Sequence, residues 1–223
     1  ARAVIAALPE GTERDALTAL SWHAQTYLHL TAGNNTAARE AAQEVIALRE
    51  ANPYAASLAY SNLGILDAQQ KNYDQAIEYL EEAYQMNPRF YRAASALGRI
   101  LILRHKYTRA AEVLGALVEH PFADQAMDRY VYAMALAKSG QREVALAQYR
   151  LALANGVKGI FRLQAFWQTI WLSQWGRYAV IALGLAAVMI YLLVANPQGG
   201  TLSLLIVAGV ILLMQYVLGR TRR

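Results

Sequence analysis

The side chains that most often perform catalysis or bind metal ions are few in this sequence, and they are poorly spaced for either task. There is no cysteine, which excludes disulfides, thiolate zinc sites and cysteine nucleophiles. No two histidines have the i, i+4 helical spacing, with a carboxylate nearby, that brings two imidazoles to one metal ion. The four histidines are His23, His29, His105 and His120. We interpret them as surface or packing residues and predict no metal site.

Sequence motifs for phosphate, dinucleotide or acyl chemistry are also absent. Neither G-x-S-x-G, G-x-G-x-x-G nor G-x4-G-K-[ST] occurs. The acidic residues Glu78, Glu81 and Glu82 fall on one predicted helix, where a solvated face is the ordinary explanation. The sequence therefore predicts a protein that is not an enzyme, with no catalytic residues, no cofactor and no small-molecule substrate.

The net charge of +5 comes from one end of the chain. Residues 1–158 carry 16 basic and 16 acidic side chains, whereas residues 159–223 carry five arginines and no acid. Nucleic-acid binding needs basic side chains on a folded domain, so this distribution argues against a nucleic-acid partner. Arginines beside long apolar segments are typical of residues that flank membrane spans.

The elements that would position any binding residues come from an internal repeat. Equivalent residues recur 34 positions apart in two copies: Tyr60-x2-Leu63-Gly64 with Ala94-x2-Leu97-Gly98, Asn72-Tyr73 with Lys106-Tyr107, and Ala76-x3-Leu80 with Ala110-x3-Leu114. A third copy follows after one inserted residue and includes Ala145-x3-Tyr149. Apolar periodicity and breaker positions predict helices at about 12–31, 35–51, 57–70, 73–86, 90–104, 107–119, 124–139 and 142–155. No strand pattern occurs, so we predict an all-α domain over residues 1–158, in which small residues let paired helices approach and neighbouring pairs stack.

This pattern resembles the tetratricopeptide repeat, in which an aromatic residue, Leu-Gly, Ala-x3-aromatic and Pro recur at fixed offsets. Residues 57–90 match best, copies at 91–124 and 126–159 follow, and a degenerate copy is expected at about 17–56. Asp67 departs from the pattern because it stands where a second aromatic residue is expected. The resemblance implies a helical-repeat solenoid with three clear repeats and one degenerate repeat.

The resemblance also implies a concave groove, lined by the first helix of each pair, that binds an extended peptide or a partner helix. Carried over by position, the groove residues are Leu58, Ser61, Asn62, Ile65, Arg92, Ser95, Arg99, Ile102, Met127, Tyr130, Met134 and Lys138. Those singled out as partner-binding residues are Asn62, Arg92, Arg99, Tyr130 and Met134. The cluster of Arg92, Arg99 and Arg104 favours an acidic peptide, with solvated surface charge as the alternative. Ala96 stands where the carboxylate clamp of chaperone-tail binders has a basic residue, so we do not expect that clamp.

The end of the chain contains two uncharged segments of 18 residues, 178–195 and 201–218, separated by Asn196-Pro197-Gln198-Gly199-Gly200. At about 1.5 Å per residue each would span roughly 27 Å, close to the thickness of a bilayer core. We predict a transmembrane hairpin within 177–223; a pair of buried core helices is the alternative. Arg177 precedes the first segment and Arg220 follows the second, so the positive-inside rule places the repeats and the C-terminus in the cytoplasm, at a bacterial-type inner membrane.

The segment 159–176 between repeats and hairpin carries three of the four tryptophans. Trp167, Trp171 and Trp175 fall on one face of a predicted helix, and indole rings favour the headgroup region of a bilayer. The segment is therefore predicted to be an interfacial helix, or a capping helix that shields the last repeat. With Arg177 and Arg220, the three tryptophans are the predicted membrane-interface residues.

Together these features predict a membrane-anchored scaffold or adaptor. Its partners would be the lipid bilayer and the proteins of a membrane complex. In that complex it would serve as a stable subunit or as a transient assembly factor. The alternative is a regulatory subunit of a transport, secretion or lipid-handling machine whose hairpin acts within the bilayer.

Overall fold

The computed structural model describes residues 2–119, 124–195 and 209, and these residues are helical without any strand. In chain order the elements are α1 (Arg2–Ala6), α2 (Thr12–Thr31), α3 (Asn35–Ala47), α4 (Pro53–Gln69), α5 (Tyr73–Met86), α6 (Tyr91–Leu103), α7 (Tyr107–Leu117), α8 (Met127–Lys138), α9 (Arg142–Ala154), α10 (Gly159–Leu172) and α11 (Gln174–Ala195). The predicted all-α repeat fold is confirmed for this part of the chain.

Local capping sets the helix starts, and the start of α4 departs most from the prediction. The helix α8 begins at Met127 rather than at 124, and α6 at Tyr91 rather than at 90. The Asn34 side chain accepts a hydrogen bond from the backbone N–H of Ala37 at the start of α3. In the same way Asn52 accepts from Ala55 at 2.9 Å, and Pro53 occupies the first turn of α4. Because Pro needs no backbone donor in the first turn, α4 begins at Pro53, ahead of the predicted start at 57.

Successive helices pair into four hairpins, α2/α3, α4/α5, α6/α7 and α8/α9. Two glycines make the middle pairs close. A Cβ at Gly64 would lie 2.5 Å from Leu80 Cγ, and one at Gly98 would lie 2.5 Å from Leu114 Cγ. Both leucines are fully buried. The predicted role of small residues in bringing the helices together is therefore confirmed for these hairpins.

In the first hairpin the residues aligned with Gly64 and Leu80 are a larger and a smaller one. The cap residues Asn34 and Asn72 are 38 positions apart, and this offset aligns Thr26 with Gly64 and Ala42 with Leu80. Thr26 and Ala42 are both fully buried, and the Thr26 hydroxyl donates to the carbonyl oxygen of Trp22. At the aligned positions α2 therefore carries a residue larger than Gly64 and α3 one smaller than Leu80, and the longer offset accompanies the degenerate first copy.

The turns inside the four hairpins share one backbone conformation. Gly33, Lys71, His105 and Gly140 have φ angles of 75°, 65°, 59° and 89°, the left-handed region that favours glycine. The following N–H donates to a carbonyl five residues earlier, as in Asn72 to Asp67 at 2.9 Å. Lys71 and His105 therefore hold a conformation that costs a side-chain-bearing residue free energy.

The way the hairpins stack defines two different sides of the repeat region. The first helices contact one another in series, α2 with α4, α4 with α6 and α6 with α8. Within the described residues, the second helices α3, α5, α7 and α9 make no such contacts with each other. The first helices therefore line the inner, concave side. We call this side the inner surface, and the side formed by the second helices the outer surface.

The chain separates into two compact units, residues 1–166 and 167–223. The second contains the end of α10 and, among its described residues, α11, which covers the first predicted membrane segment, 178–195. In the part of the chain that the structure describes, no helix meets the length and apolarity needed to cross a membrane. The turn 196–200 and the second segment, apart from Gly209, lie outside the described residues, so the transmembrane hairpin stays a prediction.

Candidate protein-binding surface

The inner surface displays the residues carried over from the repeat pattern, although they differ in accessibility. Arg92 and Arg99 of α6 are exposed, and the side chain of Arg99 is 51% accessible. Asn62 of α4 and Met134 of α8 are half-buried. These four residues of successive first helices are the accessible part of the predicted partner-binding set.

Tyr130, the fifth predicted residue, is used in packing inside the protein. It is only 6% exposed, and its hydroxyl donates a 2.6 Å hydrogen bond to the Gln164 side chain of α10. Its ring lies 5.4 Å from that of Phe161 and 5.8 Å from that of Tyr149. Burial raises the pKa of Tyr130. A partner could reach this hydroxyl only by displacing the first turns of α10. The pattern of residues along α8 does not predict that α10 covers Tyr130.

The guanidinium of Arg99 is positioned by a buried carboxylate. Asp128 is 1% exposed, and its Oδ1 lies 3.6 Å from Nη2 of Arg99. Its Oδ2 accepts hydrogen bonds of 2.8 Å from the Tyr91 hydroxyl and from the backbone N–H of Asp124. Burial, followed by the hydrogen bond to Asp128, raises the pKa of Tyr91. Arg99 thus forms a 3.6 Å ion pair with the buried Asp128, while about half of its side chain is exposed to solvent.

Arg104, grouped with Arg92 and Arg99 in the sequence, belongs to a different set of contacts. Its Nη2 donates to Asp74 of α5 at 2.9 Å. The ion pair offsets its charge, so the sequence cluster of three arginines reduces to two on the inner surface.

The first helix adds apolar groove residues that the sequence analysis missed. The offset of 38 between the first two copies aligns Leu20 with Leu58, Ala24 with Asn62, and Tyr27 with Ile65. Leu20 is 44% exposed and Tyr27 is 59% exposed. The asparagines at positions 34 and 72 are visible in the sequence. Aligning them gives the 38-residue offset between the first two copies without knowledge of the helices.

The predicted membrane-interface residues are only partly described. In the first unit, Ile160 and Leu163 of α10 are exposed. In the second unit, Trp167 and Trp171 are 57% and 51% exposed. The side chains of Trp175 and Arg177, and all of Arg220, lie outside what the structure describes. Exposed indoles agree with an interfacial helix, whereas the contacts of Phe161 and Gln164 with Tyr130 agree with a cap, so α10 has features of both.

No group of three or more His, Asp or Glu side chains in the described ranges is arranged to hold a metal ion. The absence of enzymatic activity stays a prediction. The arrangement of the first unit is suited to recognition by shape and charge along the inner surface.

Comparison with protein families identifies the repeat. Residues 23–89 and residues 67–129 each match a tetratricopeptide-repeat family model. Together the two matches cover residues 23–129, from the second half of α2 into α8, so this part of the chain consists of tetratricopeptide repeats. No curated protein matches the sequence significantly.

Several solved structures share the fold at low sequence identity. YrrB, described as a tetratricopeptide-repeat protein with an unusual peptide-binding site, is 18% identical over 83% of this chain and 90% of its own, with a TM-score of 0.63. PilF of Pseudomonas aeruginosa is 21% identical over 84% of this chain and 80% of its own, with a TM-score of 0.54. MamA of Desulfovibrio magneticus RS-1 is 17% identical over 70% and 83%, with a TM-score of 0.56. At these identities the likeness concerns the fold alone.

Proposed function

We propose that this chain with tetratricopeptide repeats is a membrane-anchored scaffold that holds a partner protein through the inner surface of its repeats. The observation that carries the binding part is the continuous series of first helices, which leaves Tyr27, Asn62, Arg92 and Arg99 accessible along one side. Such a surface has room for an extended segment that contacts several repeats at once. YrrB, which has the same fold, is described by its peptide-binding site, and this supports the same use here.

The membrane part of the proposal rests on the sequence after residue 177. Two uncharged segments, 178–195 and 201–218, lie between Arg177 and the basic end of the chain. A long uncharged apolar segment flanked by arginines is favourable in a bilayer and costly in water. The exposed Trp167 and Trp171 are suited to the headgroup region beside such an anchor. In this arrangement the repeats and the C-terminus face the cytoplasm.

Attachment and orientation can be measured separately in cells that express the full chain. Carbonate washing of membranes should leave the chain in the pellet, and replacing Leu183 and Ile190 with Arg should release it. Each central Arg costs about 2.5–3.5 kcal/mol of insertion free energy. A conservative pair, Leu183→Ile and Ile190→Leu, should stay in the pellet. Complete release of the natural chain by carbonate would refute the anchor, and activity of a periplasm-dependent reporter fused to the C-terminus would refute the orientation.

The same membranes distinguish the two kinds of scaffold. A stable subunit should co-purify with its complex at constant stoichiometry after mild detergent extraction. An assembly factor should be recovered with its client at a ratio that falls once synthesis of the client stops. The alternative function, regulation of a transport, secretion or lipid-handling machine by the hairpin, predicts that replacing 178–218 with an unrelated hairpin abolishes activity without reducing partner recovery. Full function of that chimera would exclude it.

A further inference from the structure

We propose that the partner segment has two chemically different parts, an apolar part that contacts α2 and α4 and an acidic part that contacts α6 and α8. This inference rests on the proposed function, because it specifies the partner of the same inner surface. It follows from how exposed charge and exposed apolar area are divided among the first helices.

The acidic part is indicated by the absence of exposed carboxylates on the inner helices of the last three hairpins. In α4, α6 and α8 the only acids are Asp67 and Asp128, and both are buried. Asp67 accepts two hydrogen bonds from Arg39, at 2.9 and 3.1 Å, and Asp128 accepts from Tyr91. Asp67 is therefore engaged by Arg39, and Asp128 offers only its Oδ1, at 3.6 Å, to one surface cation, Arg99.

Exposed cations occur on the same helices. Arg92 and Arg99 on α6 and Lys138 on α8 are all exposed. Among the residues that the structure describes, an ion pair is seen for one of these three cations, Arg99, at 3.6 Å from buried Asp128. The inner surface of α6 and α8 is therefore positive although residues 1–158 as a whole are neutral.

The outer surface shows where the balancing negative charge lies. The second helix α5 carries Asp74, Glu78, Glu81 and Glu82, and three of these four are exposed. An acidic segment is thus attracted by the inner surface of α6 and α8 and repelled by the acids of the outer helix α5. Complementary charge of this kind favours correct registration and raises the rate of association.

The apolar part is indicated by the other end of the inner surface. Leu20 and Tyr27 are exposed on α2, and Leu58 and Ile65 are half-buried at the equivalent positions of α4. The only acids of α2, Glu13 and Asp15, lie in its first turn, before Leu20 and Tyr27. Packed helices lie about 8–10 Å apart, so α2 and α6 are separated by roughly 20 Å. An extended chain covers that distance in about six residues, which sets the spacing between the apolar and the acidic residues of the partner.

The experiment is a selection of random twelve-residue peptides, displayed on phage, against the immobilised full chain. Recovered sequences should contain more Asp and Glu than Lys and Arg, with apolar residues about six positions from the acids. A parallel selection uses the variant R92E/R99E, which reverses the charge of the inner surface. A matched control, R142E/R150E, reverses two exposed arginines on the outer helix α9 with the same change in net charge. Circular dichroism verifies that both variants remain helical.

The tightest peptide is then measured by fluorescence anisotropy. We expect R92E/R99E to bind it about ten-fold or more weakly, and R142E/R150E to change its affinity by less than about two-fold. The affinity for the natural chain should also fall as salt rises, because exposed charges are screened. A pool without acidic enrichment, or equal weakening in both variants, would overturn this inference while leaving peptide binding intact. Recovery of no binding peptide at all would overturn the proposed function itself.

Discussion

Replacement of Gly98 by Ala tests whether close helix pairing is what the repeat sequence encodes. Inside an exposed helix this change stabilises by about 1 kcal/mol, since Gly is the poorer helix former. Here the added Cβ would lie 2.5 Å from both Cγ and Cδ2 of Leu114, which is fully buried and cannot turn away. Overpacking of this kind costs about 1–3 kcal/mol. Because a separation of 2.5 Å is shorter than real Cβ contacts, we place the cost at about 2–3 kcal/mol. After subtraction of the gain in helix propensity, we expect the free energy of unfolding to fall by about 1–2 kcal/mol.

The measurement is urea unfolding of the full chain followed by circular dichroism, with Gly115→Ala as the matched control. A Cβ at Gly115 would meet the outer end of the Tyr132 ring, with Oη at 3.2 Å, Cζ at 3.4 Å and Cε2 at 3.5 Å. This end of a long side chain can shift by a few tenths of an ångström, so the variant should be unchanged or more stable by up to about 1 kcal/mol.

Combining Gly98→Ala with Leu114→Ala tests the same contact from both of its sides. Leu114→Ala alone should cost about 2–5 kcal/mol, because it opens a cavity. The double variant should be less destabilised than the two single effects added together, since the new methyl group occupies part of that cavity. Additive effects, or a Gly98→Ala chain as stable as the natural one, would refute the steric account.

Two further predictions concern a turn and a half-buried histidine. Lys71 has a φ angle of 65°, and its replacement by Gly should stabilise by about 0.5–1 kcal/mol, the relief of a left-handed residue less the chain entropy of Gly; an unchanged urea midpoint would contradict this. Burial lowers the pKa of His23, so the unfolded chain takes up this proton below about pH 6.5 while the folded chain resists it. Stability should therefore decrease as the pH falls from 7 to 5, and this decrease should be smaller in His23→Asn than in His29→Asn; equal slopes would disprove the assignment.

The parts of the fold that the sequence predicts are those controlled by neighbours along the chain. Helix pairing within 57–90 and 91–124 follows from the 34-residue recurrence, because Gly64 and Gly98 must each face a leucine of the next helix. The start of α4 at Pro53 was missed by four residues, although the capping residue Asn52 precedes it in the sequence. Contacts between residues that are distant in the sequence are harder to predict, since they depend on which helix faces pack together.

Asp67 shows this limit at a single position. In the sequence it is only a departure from the aromatic residue of the repeat pattern. In the structure Arg39, 28 residues earlier, donates two hydrogen bonds to its buried carboxylate, and Asn72 donates a third at 3.4 Å. An ion pair between α3 and α4 thus replaces an aromatic contact. Neither residue type predicts the other before the stacking of the hairpins is known.

At the candidate binding surface, some residue positions follow from the sequence and others do not. Positional transfer correctly placed Arg92 and Arg99 on exposed parts of the first helices. It could not show that α10 covers Tyr130, because the covering residues belong to a segment outside the repeat pattern. It also omitted Tyr27, since the first copy carries four extra residues that shift its register.

The exchange of Thr26 and Ala42 for the Gly64 and Leu80 pair limits how such an array can be recombined. A hairpin duplicated or transferred as a whole keeps its matched pair of large and small residues. By the 38-residue alignment, a crossover inside a turn that joins α2 to α5 should bring Thr26 to the position of Gly64, opposite Leu80, and so place two large side chains in one site. Recombined chains that still fold should therefore have their breakpoints between hairpins. The unit that can be exchanged is the helix pair and not the single helix.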